Sequence, residues 1–154
     1  MGRYYKRRYY RSGVSGRDKY SVEQNAGSLQ VNASGDGGVT VVPATTIQGM
    51  RKVKHLTLNM ANYGTGSASV LYWALVYVPA GTSANTLQVD SGSMYEPNQY
   101  VMSSGVFDFD GGPLRVHCPL SRNLNSGDTV ALVVHSLAAT VTYYYTLSYA
   151  ITLQ

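Results

Sequence analysis

The amino-terminal segment concentrates two kinds of side chain that bind polyanions in different ways. After Gly2, every position up to residue 11 is basic or tyrosine: Arg3, Tyr4, Tyr5, Lys6, Arg7, Arg8, Tyr9, Tyr10 and Arg11. Arginine and lysine neutralise phosphates and release counterions, and tyrosine rings offer flat surfaces on which unpaired bases stack. Because the bases of a duplex are hidden, this mixture favours single-stranded nucleic acid. The alternative is a solubilising or import tail that makes no contact with nucleic acid.

The charge of the chain is divided unevenly along its length. Residues 1–19 also contain Arg17 and Lys19, so seven bases stand against Asp18 and the net charge is +6. Residues 20–154 contain five bases and seven acids, which gives −2. A basic arm on a weakly acidic body indicates a tether to nucleic acid or to a membrane surface.

Three further bases, Arg51, Lys52 and Lys54, open a predicted strand of the body. They are candidates for extending the nucleic-acid surface of the arm. A solvated strand end, or an ion pair between subunits, would explain them equally well.

Other reactive side chains are not arranged for chemistry. His55, His117 and His135 each stand alone on separate predicted strands, so their spacing gives no metal site. His117 and Cys118 are neighbours on a strand and point to opposite faces, which puts a base out of reach of the thiol. We therefore predict no catalytic residue, no metal and no cofactor, and we interpret Cys118 as a small core residue.

An acidic, glycine-rich stretch resembles a fragment of a calcium loop. Asp108 and Asp110 precede Gly111 and Gly112, but the remaining ligands of such a loop, including its distal glutamate, are missing. We predict a turn between strands here.

Length and composition limit the class of protein. A chain of 154 residues is typical of one domain, and a single cysteine excludes an intramolecular disulfide framework. No secretory signal and no apolar run of about 18 residues is present, so we expect a soluble protein of intracellular origin without membrane insertion. Only 13% of residues are charged, and weakly charged surfaces associate readily.

Period-two alternation of apolar and polar residues dominates beyond the arm and predicts an all-β domain. We assign an arm over 1–18 and a body over 19–154. We predict eight strands: 20–32, 38–46, 51–60, 69–78, 99–107, 114–120, 129–135 and 140–153. Eight short antiparallel strands in one domain favour a two-sheet sandwich of the jelly-roll type.

The alternation also assigns individual side chains to faces. Lys54 is predicted to share a face with Leu56, Leu58 and Met60, and Leu120 to point inward with Leu114, Val116 and Cys118. Tyr143 and Tyr145 should be buried, and Tyr144 exposed. The apolar segment 69–78 should be covered on both faces.

Three stretches resemble the capsid proteins of small circular single-stranded DNA viruses of the circovirus-like group. They are TTIQGMRKVKHLTLNM (45–60), YWALVYVPAGT (72–82) and YEPNQYVMSSGVFDFDGGPLRVHCPLSRNLNSGDTVALVV (95–134). The resemblance implies a single jelly roll that assembles with copies of itself into an icosahedral T=1 shell of about 60 copies. It further implies packaging of a circular single-stranded DNA genome, nuclear import through the arm by host import factors, and a cell-surface receptor. The expected locations are the virion and, during assembly, the host nucleus.

Two other classes of protein fit part of the sequence. A carbohydrate-binding jelly roll would explain the fourteen tyrosines but not the basic arm. A single-strand DNA-binding protein that never assembles would explain the arm but not the weakly charged body.

Overall fold

The computed structural model describes residues 20–33, 35–62, 70–83, 100–108, 111–137 and 140–153. These residues form nine strands: β1 (Tyr20–Val31), β2 (Asp36–Val42), β3 (Arg51–Asn62), β4 (Val70–Val78), β5 (Val101–Asp108), β6 (Leu114–Cys118), β7 (Arg122–Leu124), β8 (Thr129–Ser136) and β9 (Val141–Leu153). Within these ranges, no helix is long and apolar enough to cross a membrane. The predicted arm lies outside the described residues.

The strands form two antiparallel sheets with nested pairing. Sheet I has the order β1-β9-β3-β6, with β7 also paired to β3, and sheet II has the order β2-β8-β4-β5. Strand β1 pairs with β9, β2 with β8, β3 with β6 and β7, and β4 with β5. Successive nested pairs alternate between the sheets, as they do when one long hairpin is rolled up. This is the jelly roll, and it confirms the predicted fold.

The core lies between the facing sides of the two sheets. Its largest fully buried side chains include Leu56 and Leu58 of β3, Leu75 of β4, Leu132 of β8 and Tyr143 of β9. Each such side chain contributes about 1.5–3 kcal/mol by leaving water. The alternation predicted for β9 is confirmed, because Tyr143 and Tyr145 are buried whereas Tyr144 is half exposed.

Sheet II is buried on its second face as well. Ala74, Val76 and Val78 of β4 and Ala131 and Val133 of β8 form a separate apolar cluster. All five are less than 5% exposed. The prediction that segment 69–78 is covered on both faces is confirmed from residue 71 to 78, whereas Val70 is 38% exposed and Ser69 lies outside the described residues.

Strand β3 contains a bulge that the sequence pattern did not reveal. The register of β3 against β9 shifts between Lys54 and Thr57, and His55 has a φ of 56°, in the left-handed region. The extra residue puts Val53 and Leu56 on the same, inward face. The prediction that Lys54 shares a face with Leu56 is therefore wrong, and Lys54 lies on the outer face with Lys52.

Prolines set two strand ends that differ from the predictions. Strand β6 stops at Cys118, immediately before Pro119, and Leu120 is 52% exposed rather than inward. Strand β2 stops at Val42, before Pro43. Proline has no N–H to donate to a ladder, so pairing ends there. The three-residue β7, which was not predicted, is too short to show an alternation.

Candidate nucleic-acid interface

The charged residues of the body are sorted between the two sheets. All five bases after residue 19 lie on strands of sheet I: Arg51, Lys52, Lys54, Arg115 and Arg122. Among the acids in the described ranges, Asp36 and Asp108 lie on sheet II, and Asp128 precedes β8. The exception is Glu23 on β1, whose Oε2 accepts a hydrogen bond from the Tyr149 hydroxyl at 2.8 Å.

Lys52 and Lys54 lie on the outer face of sheet I, the face that points away from sheet II. Across this face Tyr20 pairs with Thr152, which in turn pairs with Lys52. The Nζ atom of Lys54 lies 5.0 Å from the centre of the Tyr20 ring, within the range of a cation–π interaction. Since Tyr20 directly follows Lys19, the arm joins the body next to these two lysines.

Arg51 is placed differently from its two basic neighbours. Its side chain points inward and is only 8% exposed. Its Nη2 donates to the carbonyl oxygens of Pro43 at 3.1 Å and Asp128 at 3.5 Å. Arg51 thus connects β3 to the segment after β2 and to the turn before β8, which is a structural role.

A polar pocket of about 440 Å³ lies beside β7, where Tyr77 of sheet II approaches sheet I; its lining residues are Lys52, Tyr77, Ser121, Arg122, Asn123 and Asn125. The Arg122 guanidinium carbon lies 4.3 Å from the centre of the Tyr77 ring. The Tyr77 ring stacks in turn on Tyr100, with centroids 6.0 Å apart. Lys52 reaches the same pocket because it pairs with Asn123.

Asp128 holds two residues that line this pocket, Tyr77 and Asn125. Its carboxylate accepts hydrogen bonds from the Tyr77 hydroxyl at 2.8 Å, the Ala80 amide at 3.0 Å and the Asn125 amide at 2.8 Å. Burial alone would raise the pKa of Asp128, but these hydrogen bonds outweigh burial and hold the pKa below its usual value. Burial, followed by the bond to Asp128, raises the pKa of Tyr77. At neutral pH the carboxylate is therefore charged and the hydroxyl donates.

The three histidines and the cysteine do not come together in one cluster within the described ranges. His55 and His117 stack with centroids 6.3 Å apart, and His117 Nδ1 lies 3.1 Å from Thr57 Oγ1. His135 Nδ1 lies 2.8 Å from Asp36 Oδ1. No three potential metal ligands come together in this part of the chain.

Cys118 is fully buried and its Sγ lies 3.5 Å from the carbonyl oxygen of Met102, while His117 is exposed on the opposite face. The interpretation of Cys118 as a core residue is confirmed. In the predicted turn after β5, Gly112 has a φ of 87°, and Asp110 lies outside the described residues.

The predicted nucleic-acid residues therefore divide into three groups. Those of the arm lie outside the described residues, Lys52 and Lys54 share an outer face, and Arg51 is buried. Sequence reasoning missed Arg122 and Tyr77, which the fold brings together from opposite sheets. The only signal was an arginine among small polar residues, SRNLNSG, which is also typical of a surface turn.

Comparisons with known proteins concern the fold only. No protein-family model matches the chain, and no curated protein is significantly similar to it. A chain of the Desmodium yellow mottle tymovirus structure matches with a TM-score of 0.43 at 16% identity, covering 88% of this chain and 89% of that one. A chain of the Triatoma virus empty capsid matches with a TM-score of 0.48 at 12% identity, covering 88% of this chain and 90% of that one. A chain of the Mud crab tombus-like virus structure matches with a TM-score of 0.48 at 7% identity and covers the same shares of the two chains. Because these TM-scores lie below 0.5, the fold assignment rests on the strand pairing.

Proposed function

We propose that this chain is a viral major capsid protein. Its jelly-roll body would tile with copies of itself into an icosahedral shell of about 60 copies, and its basic arm would hold circular single-stranded DNA inside. The proposal places the protein in the virion and, during assembly, in the host nucleus, to which host import factors would carry it through the arm. A cell-surface receptor would contact the outside of the shell.

The sorting of charge between the sheets is the observation that carries the proposal. The bases of the body lie on sheet I, and the arm joins the body on the outer face of that sheet beside Lys52 and Lys54. Sheet II carries Asp36 and Asp108. A shell subunit with sheet I toward the genome would attract phosphate on the inside, and its acidic residues would repel it on the outside.

Exposed apolar side chains support tiling. Val106 is 55% exposed on β5, an edge strand of sheet II, and Ile47 in the segment before β3 is 65% exposed. Contacts of this kind on separate sides of a subunit suit heterologous interfaces, which generate closed shells when their rotations close.

The test is expression of the chain followed by gel filtration, negative-stain microscopy and measurement of the nucleic-acid content of any particles. We expect particles that contain nucleic acid, and empty particles after deletion of residues 2–19. Material that stays at protomer mass in every buffer would refute shell formation and favour a carbohydrate-binding module. Protein that binds oligonucleotides strongly but never assembles would favour a single-strand-binding protein.

A further inference from the structure

The polar pocket holds two cationic side chains without an anionic partner. Among the described residues, the close contact between a basic and an acidic side chain is His135 Nδ1 to Asp36 Oδ1 at 2.8 Å, and neither Lys52 nor Arg122 has a carboxylate partner within these ranges. Both line one concave space of about 440 Å³. Two like charges in one pocket repel each other, so an anion bound between them would relieve that repulsion.

The guanidinium of Arg122 is pre-organised for such an anion. It lies over the Tyr77 ring, which also stacks on Tyr100 and is held at its hydroxyl by Asp128. A guanidinium stacked on a ring keeps its donors in one plane and loses little freedom when it binds. Lys52 supplies a second charge from β3, and Ser121 and Asn123 supply neutral donors.

The nearest carboxylate does not compete for these cations. Asp128 is 4% exposed, and its oxygens already accept three hydrogen bonds from Tyr77, Ala80 and Asn125. It therefore acts on the pocket by positioning the Tyr77 ring. The remaining donors lie on β3 and on or beside β7, and arginine and lysine together with neutral donors are groups that bind phosphate in proteins.

We propose that this pocket binds one backbone phosphate of a single-stranded polynucleotide that lies along sheet I. The inference rests on the proposed function, because it takes the polynucleotide to be the packaged genome. Lys52 belongs both to the pocket and to the outer face next to Lys54, so the pocket continues the surface on which the arm joins the body. A strand held by the arm would then extend from Lys54 past Lys52 to Arg122.

The experiment measures binding of a fluorescein-labelled oligothymidylate to the full chain across a salt series, with wild type and Arg122→Gln side by side. One lost phosphate contact should lower the affinity about tenfold at low salt and reduce the slope of log K against log salt by about 0.7. Arg122→Lys keeps the charge without the planar fork, so it should retain the slope and lose about threefold in affinity.

Arg115→Gln is the matched control. It removes the same charge from the same sheet, but Arg115 pairs with Asn59, about 20 Å along β3 from Lys52. Arg115 still contributes to the positive field of sheet I, so we expect Arg115→Gln to lower the affinity less than about twofold and to reduce the slope by less than about half as much as Arg122→Gln. If Arg122→Gln and Arg115→Gln lower the affinity and the salt slope equally while wild type binds and assembles, the pocket proposal fails and the proposed function stands. Wild type that does not bind at all would refute the packaging role itself.

Two further measurements test a subunit contact at the pocket and the folding of the variant. Negative-stain microscopy of each variant tests whether the pocket instead receives a carboxylate from a neighbouring copy. Loss of particles in Arg122→Gln, but not in Arg115→Gln, would overturn the phosphate assignment in favour of that contact. Thermal unfolding checks that Arg122→Gln folds. If it does not, Arg122→Lys carries the test, and unchanged affinity in that variant overturns the proposal.

Discussion

The outer faces of the two sheets are built in opposite ways. On sheet I, the outer face carries Lys52 and Lys54 of β3 and, further along, Thr142, Thr146 and Ser148 of β9. Within the described ranges no acid lies on this face, since Glu23 pairs with the inward Tyr149. On sheet II, β4 and β8 present small apolar residues such as Ala74 and Val133, which are almost inaccessible to water. One face is thus suited to an aqueous polyanion and the other to packed contacts.

This difference shows that the jelly roll is asymmetric although its strands are nested symmetrically. Both sheets supply four strands to the nested pairing, and both contribute to the shared core. Only the outward side chains distinguish them. The surface chemistry of each sheet is therefore set by alternate residues of its strands, while the other residues of the same strands form the core.

The largest expected effect is the difference in the free energy of unfolding between a carboxylate placed on the outer face of sheet II and one placed on that of sheet I. Val133→Asp would bury a carboxylate beside Ala74 without a partner, so we expect the free energy of unfolding to fall by more than about 3 kcal/mol. Thr146→Asp on sheet I should change it by less than about 0.5 kcal/mol, because Thr146 is exposed and its bond from Asn59 at 3.3 Å can be kept. Urea unfolding measures both, and equal losses would contradict the difference between the faces.

Strand alternation made most of this fold predictable from the sequence. In β9, alternate tyrosine, leucine and isoleucine residues are buried as predicted, because one face of that strand is core along its length. The bulge at His55 was not predictable, since no glycine marks it and only the pairing with β9 reveals it. Missing it assigned Lys54 to the wrong face, which shows that a single inserted residue reverses the predicted direction of a side chain.

The candidate site was predictable only where it is local in sequence. Lys52 and Lys54 stand in one basic run and were identified, but the same run led to Arg51, whose guanidinium is buried against backbone carbonyls. Arg122 and Tyr77 come from different sheets and meet only in the folded chain. A contact of that kind leaves no spacing for a sequence pattern to detect.

The inner side of sheet I offers a test by pH. Burial raises the pKa of Tyr143, and burial together with the hydrogen bond to Glu23 raises the pKa of Tyr149. The folded chain therefore keeps these protons above about pH 10, where the tyrosines of the unfolded chain have lost them. Stability is full below that pH and should fall as pH rises, by up to about 1.4 kcal/mol per pH unit for each proton.

Unfolding free energies measured between neutral and strongly alkaline pH test this directly. Tyr149→Phe removes one of the protons, so its stability should fall less steeply than that of wild type above pH about 10. An identical pH dependence in the two proteins would mean that the Tyr149 hydroxyl titrates in the folded state as it does in water.

The smallest expected effect is on nucleic-acid binding, when one positive charge is removed from the outer face of sheet I or added to that of sheet II. Lys54→Gln should lower the affinity for single-stranded oligothymidylate about threefold and reduce the salt slope by up to about 0.7, since one base beside the arm is lost. Thr40→Lys adds a base to the exposed outer side of β2 in sheet II, opposite Ala131. Because that face should not meet the nucleic acid, the added charge should leave the slope unchanged. If Thr40→Lys strengthens oligothymidylate binding as much as Lys54→Gln weakens it, the nucleic acid does not prefer one face of the body. Its affinity then depends only on the net charge of the protein.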